Sequence, residues 1–168
     1  MRAKQGFSLI ELLLVVAIIL IIAAIAIPSL TRSRSAANES AAVAALRTIN
    51  VGEATFASTY NSGYSEDLRR LGAPASGSAS VTAADLLDPI LSANAPGSTG
   101  PNNFTKSGYV FVYTPTGGST TFGSVFRYQV NADPQARGST GRQSFYTDQS
   151  SLVRANASAA ATASDNPI

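Results

Sequence analysis

Apolar residues fill almost every position from Leu9 to Ile27, interrupted by the single carboxylate of Glu11 and closed by Pro28. A run of this length approaches the ~20 residues that a helix needs to cross a bilayer. Beyond Pro28 the pattern changes to a helical period. Leu30, Ala37, Ala41, Ala45, Ile49, Phe56 and Tyr60 approximate one face, the segment is rich in Ala, and Gly52 is its one glycine. Glu39 and Arg47 suit the wetter side. The pattern predicts one helix from Phe7 to about Tyr60, about 80 Å long at ~1.5 Å per residue. Residues 7–28 form its membrane-spanning part and residues 29–60 an amphipathic half. Pro28 lacks an N–H and crowds the carbonyl of Ala24, which predicts a kink or a local loss of hydrogen bonding there.

From Asn61 the composition shifts to Gly, Ser, Pro and Ala, so residues 61–107 read as a connector. Within it, Tyr64 to Leu71 and Ala83 to Leu91 are expected as short helices, with loops over 72–80 and 94–103. Strand signals occupy residues 108–154. They are Tyr109 to Tyr113, Val125 to Val130, Ser144 to Asp148 and a short fourth piece from Leu152 to Arg154. A Pro/Gly turn is expected at Thr114 to Ser119 and a loop at Ala132 to Gly141. Residues 155–168, rich in Ala and Ser, are expected to form a flexible tail. The fold class is therefore α+β: a long N-terminal helix whose second half carries a small C-terminal antiparallel sheet of three to four strands. The aromatic residues pack the sheet against the helix.

Glu11 is the residue that this pattern does not explain. An ionised carboxylate within hydrocarbon costs about 3 kcal/mol or more and calls for a partner. Four residues earlier stands Phe7, preceded by Gly6 and a short basic leader containing Arg2 and Lys4. A chain cut between Gly6 and Phe7 would begin with a cationic α-amino group one helical turn from Glu11. That cation can meet the Glu11 of its own chain or that of a neighbour displaced along a common axis. Only the second arrangement builds an assembly, and there the pair acts mainly as a register device.

The string from Gly6 through Phe7, Ser8, Leu9, Ile10 and Glu11 to Ile19, with Pro28 beyond it, resembles the prepilin signature of type IV pilins and of type II secretion pseudopilins. The resemblance covers about the first 30 residues. It implies cleavage between Gly6 and Phe7 by a prepilin peptidase, N-methylation of Phe7, and a Glu11 that neutralises a neighbouring N-terminus during assembly. It further implies an assembly ATPase and platform proteins as partners, and a helix that unwinds near Pro28 inside filaments. Leu20 stands where many members have a helix-weakening Gly. Ordinary secretory signals differ in having a shorter apolar core and a small-residue cleavage site after it.

Charge sets the orientation. Arg2 and Lys4 precede the run, so the leader, residues 1–6, stays cytoplasmic and the C-terminus crosses. Arg32 and Arg34, just past the run, oppose that rule mildly and read as filament-facing or solvent-facing residues. The expected location is a single-pass inner-membrane protein, then an extracellular pilus or a periplasmic pseudopilus. The 12 Lys+Arg stand against 10 Asp+Glu, and loss of Arg2 and Lys4 leaves ten against ten. The basic balance thus belongs to the leader. Nucleic acid is not an expected partner, and Arg127, Arg137, Arg142 and Arg154 read as scattered solvated side chains.

Cysteine and histidine are absent. That excludes a disulfide, thiol nucleophiles, His-based acid/base chemistry and the usual zinc sets. Many pilins brace their C-terminal region with a disulfide, and this chain departs from that pattern. Some pseudopilins bind calcium there, so Asp133 and Asp148 are the residues to inspect, although no EF-hand spacing surrounds them. No enzyme activity and no cofactor are expected. The expected function is that of a major pilin: a structural subunit stored in the membrane and assembled into a homo-oligomeric helical fibre. The alternatives are a type II secretion pseudopilin, a minor or DNA-uptake pilin and, from a different class, a monomeric membrane-tethered binding module.

Overall fold

The computed structural model describes residues 8–96, 98–119 and 124–168; Gly6 and Phe7, and with them the expected cleavage site, lie outside the described residues. A single helix, α1, runs from Leu9 to Tyr60 and passes through Pro28 without a break. Its start is written in sequence. Ser8 precedes the first turn and Glu11 sits three residues later, the spacing of a capping box. Its end is equally local: Asn61 takes a left-handed φ of 47° while its N–H donates to the Ala57 carbonyl at 3.0 Å.

The chain divides into two units, residues 1–34 and 35–168. In the first, residues 8–34 present the first half of α1 with every position exposed except the half-buried Ala23. In the second, the remainder of α1 buries Ser35, Ala42, Ala45, Leu46, Ile49, Asn50, Gly52, Glu53 and Phe56. The expected face is thus correct at Ala45, Ile49 and Phe56, whereas Leu30 and Ala37 are exposed. A strict four-residue step advances about 40° per repeat at ~3.6 residues per turn, so the series from Ala37 drifts around the helix. The buried stripe alternates steps of three and four instead.

Among the described residues the sheet has six strands rather than three or four. They are β1 (Tyr64–Ser65), β2 (Asn103–Lys106), β3 (Tyr109–Ser119), β4 (Ser124–Pro134), β5 (Ser144–Asp148) and β6 (Arg154–Asn156). Neighbouring strands run β2-β3-β4-β5-β6, all antiparallel, and β1 pairs with the start of β4. The β2–β3 hairpin closes through Ser107 and Gly108, both with positive φ, as a two-residue turn between right-twisted strands requires. Tyr109, Phe111 and Tyr113 alternate inward on β3 and meet Tyr128, Val130 and Ala132 of β4 and Phe145 of β5 in one core with the α1 stripe.

Several sequence expectations are corrected in the second unit. Tyr64 to Leu71 is not a helix of the expected length: β1 is followed by a single 3-10 turn, Leu68–Leu71, with Asp67 as its cap. Ala83 to Leu91 forms turns instead of a helix. Its backbone docks on the 3-10 turn, where Ala84 N donates to Arg70 O at 2.7 Å and Leu86 N and Leu87 N to Leu71 O at 2.8 Å. Pro89 and a left-handed Asp85 (φ 56°) rule out a regular helix there. Strand β3 continues through Gly117 and Gly118, whose positive φ values create a register shift against β4 where a turn was expected. The fourth piece lies at 154–156 rather than 152–154, and β4 extends to Pro134.

The C-terminal stretch differs most from expectation. Asn131 Nδ2 donates to Ala161 O at 2.9 Å, Ala161 is buried, and Ala155 N donates to Asn166 O at 3.1 Å. Small residues bury little area, but they allow a backbone to lie close against the outer sheet face, where polar side chains satisfy its carbonyls.

Candidate functional site

The first candidate is the exposed half of α1. Its apolar side chains point in all directions, and a helix that is hydrophobic all round belongs in a membrane or a protein core. Among the described residues α1 is the one helix long and apolar enough to span a membrane. At its start, the Ser8 N–H donates to Glu11 Oε2 at 3.1 Å. The carboxylate therefore lies over the first turn, where unsatisfied N–H groups and the helix dipole favour an anion. Among the described residues no cation pairs with Glu11. Ser8 was not singled out in the sequence, although its S-x-x-E spacing to Glu11 was the available signal.

Pro28 lies inside α1, and three residues on the Thr31 hydroxyl donates to the Ile27 carbonyl at 3.0 Å. The helix is locally short of one main-chain donor at Pro28 and carries one extra side-chain donor at Thr31.

The second candidate is a polar cluster within residues 35–168. Glu53 is fully buried on α1, where its Oε2 accepts the Ser65 N–H at 2.9 Å and its Oε1 accepts the Ser65 hydroxyl at 2.5 Å. Tyr113 Oη donates to the Ser65 carbonyl at 2.6 Å. One turn back, Asn50 Oδ1 accepts from Tyr128 Oη at 3.0 Å while its Nδ2 donates to Thr147 Oγ1 at 2.8 Å. Burial pushes the Glu53 carboxyl up to about 7, against the opposing pull of the Ser65 hydrogen bonds. Burial, then the nearby Glu53, raises the Tyr113 hydroxyl. Sequence reasoning missed this cluster, yet Glu53 falls between Ile49 and Phe56 on the buried stripe, and a charged residue there signals a fastened polar group.

Of the carboxylates considered for calcium, Asp133 lies on β4 and Asp148 ends β5. Asp148 accepts from Ser150 N at 2.8 Å and from Tyr146 Oη at 3.3 Å, and Asp133 lies opposite Val110 in the ladder. Among the described residues no group of three or more acidic side chains converges. Surface depressions of about 340 to 380 Å³ are lined by mixed side chains such as Val43, Arg47 and Ile168, or Ile90, Pro96 and Phe104.

Residues 1–27 match the family model of the prokaryotic N-terminal methylation motif. The N-terminal segment is similar to that of type IV pilins. Over 46 residues the chain is 52% identical to the type IV wide pilus major component PilA4 of Thermus thermophilus; this aligned stretch is 27% of the chain and 35% of the relative. The match thus spans about a third of that relative's length. No solved structure matches the chain. The architecture is α+β, with one long apolar N-terminal helix and a C-terminal antiparallel sheet, and is consistent with a pilin fold.

Proposed function

We propose that this pilin is the major structural subunit of a type IV pilus. The observation that carries the reading is an all-round apolar helix half whose one acid, Glu11, has no cationic partner among the described residues. The name of the Thermus relative, a major pilus component, favours the major subunit over a pseudopilin or a minor pilin.

In this reading the peptidase cuts between Gly6 and Phe7, Phe7 is N-methylated, and residues 7–28 hold the subunit in the inner membrane with its C-terminus outside the cytoplasm. Residues 29–60 then carry the head, built from connector 61–107, sheet 108–154 and the closing stretch 155–168. During assembly the helix exchanges lipid contacts for helix contacts of similar polarity. Close packing and charge matching therefore select the neighbour. Glu11 pairs with the new ammonium of an axially displaced subunit, giving a head-to-tail contact that repeats without closing.

The test is electron microscopy of sheared surface fibres with mass spectrometry of the subunit. Long abundant fibres whose subunit begins at methylated Phe7 are expected. A mature polypeptide still beginning at Met1, or its absence from the fibres, would overturn the proposal.

A further inference from the structure

We infer that Arg32 and Arg34 form a two-sided collar that binds the phosphates of anionic phospholipids in the outer leaflet of the storage membrane. The inference rests on the membrane-stored subunit proposed above and adds the class of lipid that its helix selects.

Three observations converge. The first is axial. From Leu9 to Pro28 the helix advances 19 residues, or about 29 Å at ~1.5 Å per residue, close to the thickness of the hydrocarbon layer. With residues 7–28 spanning that layer, Arg32 lies about 6 Å and Arg34 about 9 Å past its outer end, where their long side chains reach the headgroup layer. The second is electrostatic. No acidic residue stands between Glu11 and Glu39, and neither arginine makes an ion pair among the described residues. Glu39, the nearest acid along the helix, accepts the Arg142 N–H at 2.6 Å. Both arginines are exposed.

The third observation selects the partner. Residues two apart on an α-helix project about 200° from one another, so Arg32 and Arg34 leave opposite sides of α1. A partner docked on one side meets one of them. A lipid annulus presents phosphates to both. Guanidinium groups suit this contact because they donate bidentate hydrogen bonds to phosphate oxygens from long apolar stems that run along the acyl boundary. This also accounts for two cations on the side that the usual topology bias leaves poor in them.

The chain contains no Trp, so Leu30→Trp places one unambiguous reporter beside the collar. The full chain carrying it is reconstituted in phosphatidylcholine vesicles with added phosphatidylglycerol, and either lipid is supplied in brominated form as a short-range quencher. Brominated phosphatidylglycerol is expected to compete for the site roughly fivefold better than brominated phosphatidylcholine. That preference should fall toward one in R32Q/R34Q or in high salt. Equal quenching by the two lipids overturns the collar while leaving the membrane-stored helix intact, and so does a preference that survives R32Q/R34Q. Absence of quenching by either lipid overturns both.

Discussion

Glu53 on α1 and Ser65 on β1, 12 residues apart in sequence, join by two hydrogen bonds, one to the Ser65 main chain at 2.9 Å and one to its hydroxyl at 2.5 Å. The link fastens the first strand after the helix back onto the helix. It does so through a buried acid, and the nearby charge of Asp67 adds to the effect of burial on that acid.

The stability of residues 35–168 should consequently depend on pH. The Glu53 carboxyl is raised from 4.5 to about 7, so the folded state holds a proton that the unfolded chain releases. Its stabilisation is present in full below about 4.5 and is lost as pH rises through 7, a change on the order of 3 kcal/mol. Thermal melts of the full chain in detergent should show a higher midpoint at pH 5 than at pH 8. Glu53→Gln should flatten that slope and raise the pH 8 midpoint, and a slope that survives the substitution would remove Glu53 as its source.

Glu11 combines two roles that a conservative change separates. Glu11→Gln keeps an oxygen for the Ser8 N–H but offers no charge to an ammonium, whereas Glu11→Ala removes both. Fibre incorporation should be severely impaired in both variants while membrane insertion persists. Normal fibres from Glu11→Gln would reduce the residue to a helix cap, worth about 1 kcal/mol.

Gly52 lies against Leu87, and a Cβ built there would stand 3.2 Å from Leu87 Cδ2. Ala at this position gains up to about 1 kcal/mol of helix propensity, which offsets a small shift of a flexible side-chain end. Gly52→Ala should therefore be near neutral. Gly52→Val should overpack the site and cost about 2 kcal/mol in denaturant titrations.

Arg137 gathers four acceptors: the carbonyls of Arg142 at 2.6 Å, Ala157 at 3.1 Å and Ala159 at 3.1 Å, and the Ser144 hydroxyl at 2.6 Å. Arg137→Ala should speed amide exchange in residues 157–161 and lower stability by about 1 to 2 kcal/mol. Lys should rescue only partly, since an ammonium cannot reproduce the planar fork. Unchanged exchange would show that the stretch is held by other contacts.

The parts of this molecule that were legible in sequence are those where short-range rules act alone. The apolar run and the aromatic, β-branched strand signal from Tyr109 to Tyr113 each express one local pattern. The connector was misread because its structure is imposed from outside. Leu68 and Leu71 are buried by the helix and sheet core, and residues 84–87 are positioned by carbonyls of the 3-10 turn rather than by their own propensity. The stretch after Asn156 misled for the converse reason. Its composition measures what its side chains bury, whereas its order comes from main-chain groups answered by Asn131, Arg137 and Arg154. Glu53 carried a signal in its position on the stripe, but nothing local identified Ser65 as its partner.

The closing stretch is tied down by guanidinium and amide donors in a chain without sulfur bridges. Its integrity is therefore indifferent to redox chemistry: folding of this stretch needs no thiol oxidase, and a reducing milieu leaves it unaltered.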